Sequence, residues 1–138
     1  MKKKIKVLQV IPELGYGGAE TGCYDLAHFL PEQGCKSYII TSGGKLLKYV
    51  KKDKVKIFKL PVKSKNPILI FLNSIIISII ILFCNINIVH ARSRAPAWSC
   101  LIATKLTARK FVTTFHGTYN FNNRFKKFYN SVMVRSDL

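Results

Sequence analysis

Short apolar segments alternate with helical patterns along the whole chain, and this alternation restricts the fold more than any other feature of the sequence. A chain that repeats strand, turn and helix packs as βαβ units on a parallel sheet, with helices against both faces. Residues 4–11 form the first, mostly buried strand, and Pro12 stops it. After a loop over 13–18, the residues Cys23, Leu26, Ala27 and Leu30 recur at i, i+3, i+4 and i+7, so one helical face points at the sheet. Pro31 is expected to kink or end that helix, and Gly34 stands where a helix cap belongs. A second strand follows over 37–41, then a turn at Gly43 and Gly44, a short basic helix over 45–52, and an alternating third strand over 54–60 closed by Pro61. The fourth strand, 85–90, carries His90 to its C-terminal end; a loop over 91–94 follows, and Pro96 suits the first turn of a helix through Cys100, Leu101 and Thr104. The fifth strand, 110–115, ends at His116 and Gly117, and the tail, 119–138, reads as helical through Phe125, Phe128, Tyr129 and Val132. The expected fold is a three-layer Rossmann-like α/β domain, ending before a further strand that the pattern calls for.

Between the third and fourth strands lies a run over 68–84 that is nearly all isoleucine, leucine and phenylalanine. Its length approaches the ~20 residues that a membrane-spanning helix needs. Asn73, Ser74 and Ser78 fall on one narrow helical stripe, a weak amphipathic signal. A span here would put the two parts of one sheet on opposite sides of a bilayer. We therefore expect a crossover helix that is buried or partly touches a membrane, with a spanning helix as the alternative.

The 138 residues, 49% of them hydrophobic, suffice for one core and leave no room for a second. Cys23, Cys35, Cys84 and Cys100 lack metal-ligand or disulfide-scaffold spacing and are expected to be reduced thiols in a cytoplasmic protein. The start, Met1-Lys2-Lys3-Lys4, is followed by an apolar run broken by Lys6 and Gln9, which does not make a secretion leader. A net charge of +17 attracts phosphates, nucleic acids or anionic membranes alike. Part of it is compositional, since lysine, isoleucine and asparagine are all abundant. Without a helix-turn-helix, zinc or aromatic RNA-binding pattern, nucleic acid is the weaker reading. An anionic membrane surface is the stronger one.

In an open parallel sheet, ligands bind outside the carboxyl ends of the strands, near the point where strand order reverses. Three unusual loops map there. The first, Gly15-Tyr16-Gly17-Gly18-Ala19-Glu20, is a glycine-rich turn into a helix, which suits either an anion held by backbone amides or a purely structural turn. Its spacing departs from G-x-G-x-x-G, and Thr41-Ser42-Gly43 stands where a ribose-binding acid would follow the second strand, so a dinucleotide oxidoreductase is disfavoured. Glu20 favours the helix dipole whatever else it does. In the second loop, Arg92 and Arg94 flank a serine and can offer paired donors to a phosphate or carboxylate, with solvated arginines as the alternative. In the third, His116 can hydrogen-bond a substrate hydroxyl or phosphate, and Gly117 leaves room for close approach.

The order of four segments is specific where each alone is weak: Lys6-Val7-Leu8-Gln9-Val10-Ile11-Pro12-Glu13-Leu14, Gly17-Gly18-Ala19-Glu20, Asn87-Ile88-Val89-His90 and Val112-Thr113-Thr114-Phe115-His116-Gly117. Together they resemble the N-terminal domain of family 4 retaining glycosyltransferases over essentially the whole chain. The resemblance implies two Rossmann-like domains across a cleft, with acceptor held by this one and nucleotide sugar mainly by a second. It also implies that Gly17 and Gly18 lie against the donor diphosphate or transferred sugar, and that His116 faces that sugar as the catalytic-site residue. We add Glu20, Arg92, Arg94 and Gly117 as acceptor contacts. The family's glutamate-rich donor motif has no counterpart here. The nucleotide-diphosphate sugar would be a co-substrate, with no cofactor and no metal, and the acceptor a glycan or lipid-linked species such as a lipopolysaccharide precursor. A non-catalytic acceptor- or membrane-binding module is the alternative.

Overall fold

In a computed structural model, which describes residues 2–114 and 122–137, the expected α/β domain is present. Five parallel strands are arranged in the order β3-β2-β1-β4-β5: β1 Lys6–Val10, β2 Lys36–Thr41, β3 Val55–Lys59, β4 Ile88–Ala91 and β5 Lys110–Thr113. β1 sits at the centre, pairing Leu8 with Tyr38 on one side and with Val89 on the other. Strand order reverses between β1 and β4, so the crevice above Val10 and Ala91 is the place where this topology opens to a ligand.

Alternation along β1 divides the core in two. Leu8 and Val10 face the layer formed by α2 (Pro67–Cys84) and α3 (Arg94–Thr107), where they meet Ile40, Ile77, Ile81, Cys100 and Phe111. On the other face, α1 (Gly18–Glu32) lays Cys23 and Ala27 against Ile39 and Val55. Gln9, between the two apolar residues, therefore points into the α1 layer and is fully buried there.

Several boundaries differ from the sequence expectation, each for a local reason. α1 runs through Pro31 to Glu32, because a proline so near the helix end disturbs only the last turn. Gly34 then takes φ +80° and the Cys35 amide returns to the Leu30 carbonyl. The basic segment after β2 is a single 3-10 turn, Lys45–Tyr49. The fourth strand begins later and ends later than expected, so His90 lies inside it and Arg94 is the first residue of α3, not a loop residue. The tail makes only a short helix, α4 (Arg124–Asn130), and a 3-10 turn over Ser131–Val134. Val132 and Met133 are buried as the tail turns, whereas Phe125 and Phe128 stay exposed. Beyond them Asp137 takes the Phe111 amide on its carboxylate, which fastens the chain to the edge of β5.

The loops at the carboxyl edge are tied to one another. The Leu14 amide donates to the Gly43 carbonyl at 2.7 Å, and the Leu46 amide donates to the Leu14 carbonyl at 2.9 Å. Gly44 adopts φ +133° with its backbone against that of Leu14, so that any side chain at 44 would collide with main chain. The turn that the sequence marks by two glycines is thus a clasp holding the loop that leads into α1.

α2 packs on the sheet, with Asn73 donating to the Pro61 carbonyl at 3.1 Å and the Ser99 hydroxyl of α3 donating to the Ile70 carbonyl at 2.9 Å. Its flanking strands β3 and β4 belong to one sheet, so the helix lies along the domain as a crossover.

Candidate functional site

The site is built around Arg92, the first residue after β4. Its amide is held by the Val10 carbonyl at 3.0 Å, which places the residue at the strand-order reversal. The side chain turns inward and is 8% exposed. Its Nε donates to Gln9 Oε1 at 2.7 Å, and Gln9 in turn donates from Nε2 to the Cys23 carbonyl at 3.1 Å. One terminal guanidinium nitrogen lies alongside Gly22, which a Cβ would meet at 3.6 Å. No carboxylate pairs with Arg92 among the described residues, where the one ion pair is Lys63 with Glu13. Burial pulls the guanidinium below its ordinary pKa, with the nearby Cys23 sulfur opposing that shift. A buried cation without a counter-ion is costly unless an anion completes it.

The first turn of α1 converges on the same place. Gly17 is its N-cap, in extended geometry and with no side chain capping the helix, which leaves the leading amides without a side-chain acceptor. The Glu20 carboxylate folds back over Gly17, into the space a Cβ at 17 would need. Because Gly17 has φ −69°, its glycine is explained by this close approach and not by backbone strain. Burial pushes the Cys23 thiol up to about 12; Arg92 opposes the rise and Glu20 adds to it, so both charges bear on Cys23. Gly17, Gly18 and Glu20 form the start of α1, and Arg92 meets the same helix one turn on, at Gly22 and Cys23. A guanidinium with free valence can bind a phosphate or carboxylate bidentately, and the leading amides of a helix can add donors to the same anion.

Arg94 goes elsewhere. It donates to Asn130 Oδ1 at 2.7 Å and lies over the Tyr129 ring at 5.3 Å. The two arginines, expected to face one ligand together, lead apart, Arg92 to α1 and Arg94 to α4, because Arg94 has already entered α3. Arg94 instead lines a groove of about 670 Å³ between α2, α3 and α4. Phe71, Trp98, Phe125 and Phe128 make its walls, and Lys65 and Lys126 add positive charge. Trp98 is fixed by donating Nε1–H to the Tyr129 carbonyl at 3.0 Å. His116 and Gly117 lie outside the described residues.

Sequence reasoning missed four contributors. Gln9 was visible only as a polar interruption of an apolar strand, and its role as the brace for Arg92 depends on which face it takes. Gly44 read as an ordinary turn. Trp98 and Phe71 join one groove only because α2 and α3 pack side by side.

The comparisons with known proteins bear on the family and the fold. Residues 16–137 match glycosyltransferase family 4. A crystal structure of a glycosyltransferase from Rickettsia africae ESF-5 is 47% identical and superposes with a TM-score of 0.81, over 96% of this chain and 35% of that one. A putative UDP-N-acetylglucosamine 2-epimerase from Listeria monocytogenes, 17% identical, shares the fold alone, with a TM-score of 0.66 over 99% of this chain and 39% of that one. The chain therefore spans little more than a third of the length of either. No protein of curated function matches. With most of its length matched in this way, the chain belongs to glycosyltransferase family 4.

Proposed function

We propose that this domain forms the acceptor-side wall of a retaining, sugar-nucleotide-dependent hexosyltransferase, the donor being gripped by a second domain. The observation that carries the reading is Arg92, buried at the strand-order reversal against the first turns of α1, with no carboxylate paired to it among the described residues. A departing nucleotide diphosphate, or an anionic group on the acceptor, supplies the negative charge such a site lacks. Oriented amides and a preset guanidinium stabilise charge that develops on the leaving group without reorganising as it forms.

In this reading Gly17 and Gly18 admit the diphosphate or the transferred sugar close to the backbone, while Glu20 accepts from an acceptor hydroxyl. His116 and Gly117 line the sugar-facing side of the cleft. The nucleotide sugar enters as a co-substrate, with no resident cofactor. The aromatic groove beside Arg94 suits an acceptor that joins an apolar chain to an anionic head, such as a lipid-linked precursor of a cell-envelope glycan, including lipopolysaccharide. Lysines and arginines flanking apolar walls are the chemistry that such a head and chain require. This acceptor class places the protein in the cytoplasm, at the inner face of the cytoplasmic membrane.

The test is transfer from a panel of nucleotide sugars to glycolipid acceptors, with this domain joined to a donor domain. Turnover that falls at least a hundredfold in Arg92→Gln supports the reading. Unaltered turnover in that variant removes Arg92 from the site.

A further inference from the structure

α2 is apolar on both faces, and its few polar residues lie on the inner one. A surface helix of a soluble domain ordinarily buries its apolar stripe and exposes its polar one. In α2 the polar residues Asn73 and Ser74 are buried, and Ser78 is half-buried with its hydroxyl donating to the Ser74 carbonyl at 2.7 Å. Outward, Ile68, Phe71, Ile75, Ile79, Leu82 and Phe83 follow the i, i+3, i+4 spacing of a single face, and each exposes more than a third of its surface. Phe83, at 87%, is almost fully in the open. The stripe runs the whole helix, about 27 Å at 1.5 Å per residue. A continuous apolar patch of this extent marks a surface that something covers.

The charge around the stripe says what covers it. Of the six acidic residues, five precede residue 54 and the last is Asp137, so residues 54–136 contain none. Cations stand at both ends of α2. Lys65 and Lys63, the latter paired with Glu13, are exposed before its start, and at its end the half-buried Lys6 ammonium donates to the Cys84 carbonyl at 2.7 Å while half-buried Arg109 donates to Asn85 Oδ1 at 3.1 Å. A second copy of this chain would bring two such cationic borders together, at +17 each, and repel. A bilayer with anionic headgroups meets both features at once, taking the apolar stripe among its acyl chains and the flanking cations among its phosphates.

We propose that α2 is an in-plane membrane-docking helix, its outer face lying in the headgroup and upper acyl region of an anionic bilayer while its inner face, Asn73 and Ser74 together with Ile77 and Ile81, stays on the sheet. The inference does not depend on transferase activity, because vesicle binding is read without turnover.

The experiment is co-sedimentation of the 138-residue chain with phosphatidylcholine vesicles, with and without phosphatidylglycerol. The expected result is binding to the anionic vesicles that weakens as salt is raised, and that falls at least tenfold in Ile79→Ser/Phe83→Ser while circular dichroism and the melting temperature are retained. A second variant, Phe83→Trp, is expected to be quenched by brominated lipid well beyond the quenching of the native Trp98. Binding undiminished in the double variant, with no added quenching in Phe83→Trp, would show that charge alone attaches the protein and would overturn the proposal. So would a wild-type dimer that the double variant separates, since the face would then belong to a second copy.

Discussion

Arg92 and Gln9, one just past β4 and the other inside β1, share a 2.7 Å hydrogen bond across the strand-order reversal. Gln9 is both an acceptor for the guanidinium and, through Nε2, a donor to α1, so it fixes the cation to the helix as well as to the sheet. Replacing Gln9 by Leu leaves a buried charged donor unmatched. The expected cost is about 2 kcal/mol, in the range for a hydrogen bond to a charged group, read from urea denaturation. A Gln9→Leu/Arg92→Leu double variant should recover part of that loss, because the orphaned donor is gone.

Gly44→Ala is expected to destabilise the domain by at least ~2 kcal/mol, combining a φ of +133° with a backbone collision at Leu14. Gly15→Ala is the control. A Cβ at 15 meets nothing, and the change should stay within about 0.5 kcal/mol. Equal melting temperatures for the two variants would show that the clasp between the loops is unimportant.

Much of the architecture is readable from the residue pattern, and the reasons for the exceptions are physical. Strand and helix alternation survives because burial on each face sets the period, so β1 to β5 and α1 to α3 all stand where periodicity puts them, within a few residues. The tail followed only in part, Phe125, Phe128 and Tyr129 lying in the short helix α4. Phe125 and Phe128 have helical spacing, yet the buried contacts there are made by Val132 and Met133 in a tighter turn. Of the site, the glycines and arginines were visible as residue types. The divergence of Arg92 and Arg94 was not, because it depends on α3 beginning at Arg94, one residue inside the loop expected for it. The polar stripe of α2 was also visible, but only packing reveals that it faces inward.

The thiols give a pH dependence with a definite sign. Cys23 is raised from its ordinary 9.0 to about 12, and Cys100 is raised further by complete burial. A thiol raised in the fold is neutral in both states below pH 9, so no stability is lost there. Above pH 9 the unfolded chain ionises first and the fold loses stability progressively toward pH 12. Melting temperature followed from pH 8 to 11 should therefore fall, and part of that fall should vanish in Cys23→Ala compared with its own value at pH 8. In alkylation at pH 8, the half-buried Cys35 should react before Cys23 and Cys100.

Gly17→Ala separates folding from binding. With φ −69° an alanine fits the backbone, and the obstacle is the mobile end of Glu20, so stability should change by less than about 1 kcal/mol. The displaced carboxylate should nevertheless alter anion affinity at the start of α1. His116→Ala, made in a polypeptide carrying both domains, should lower turnover by at least tenfold with little change in stability. Wild-type turnover would remove His116 from the cleft.

The most direct test of the central claim is amide chemical-shift mapping with inorganic pyrophosphate, a probe of diphosphate chemistry. The account expects saturable shifts concentrated at Gly17, Gly18, Glu20 and Gly22 and at the Arg92 Nε–H, all lost in Arg92→Gln. Shifts spread over the exposed lysines at 45–59 and unchanged in that variant would contradict it, because the buried guanidinium would then hold no anion.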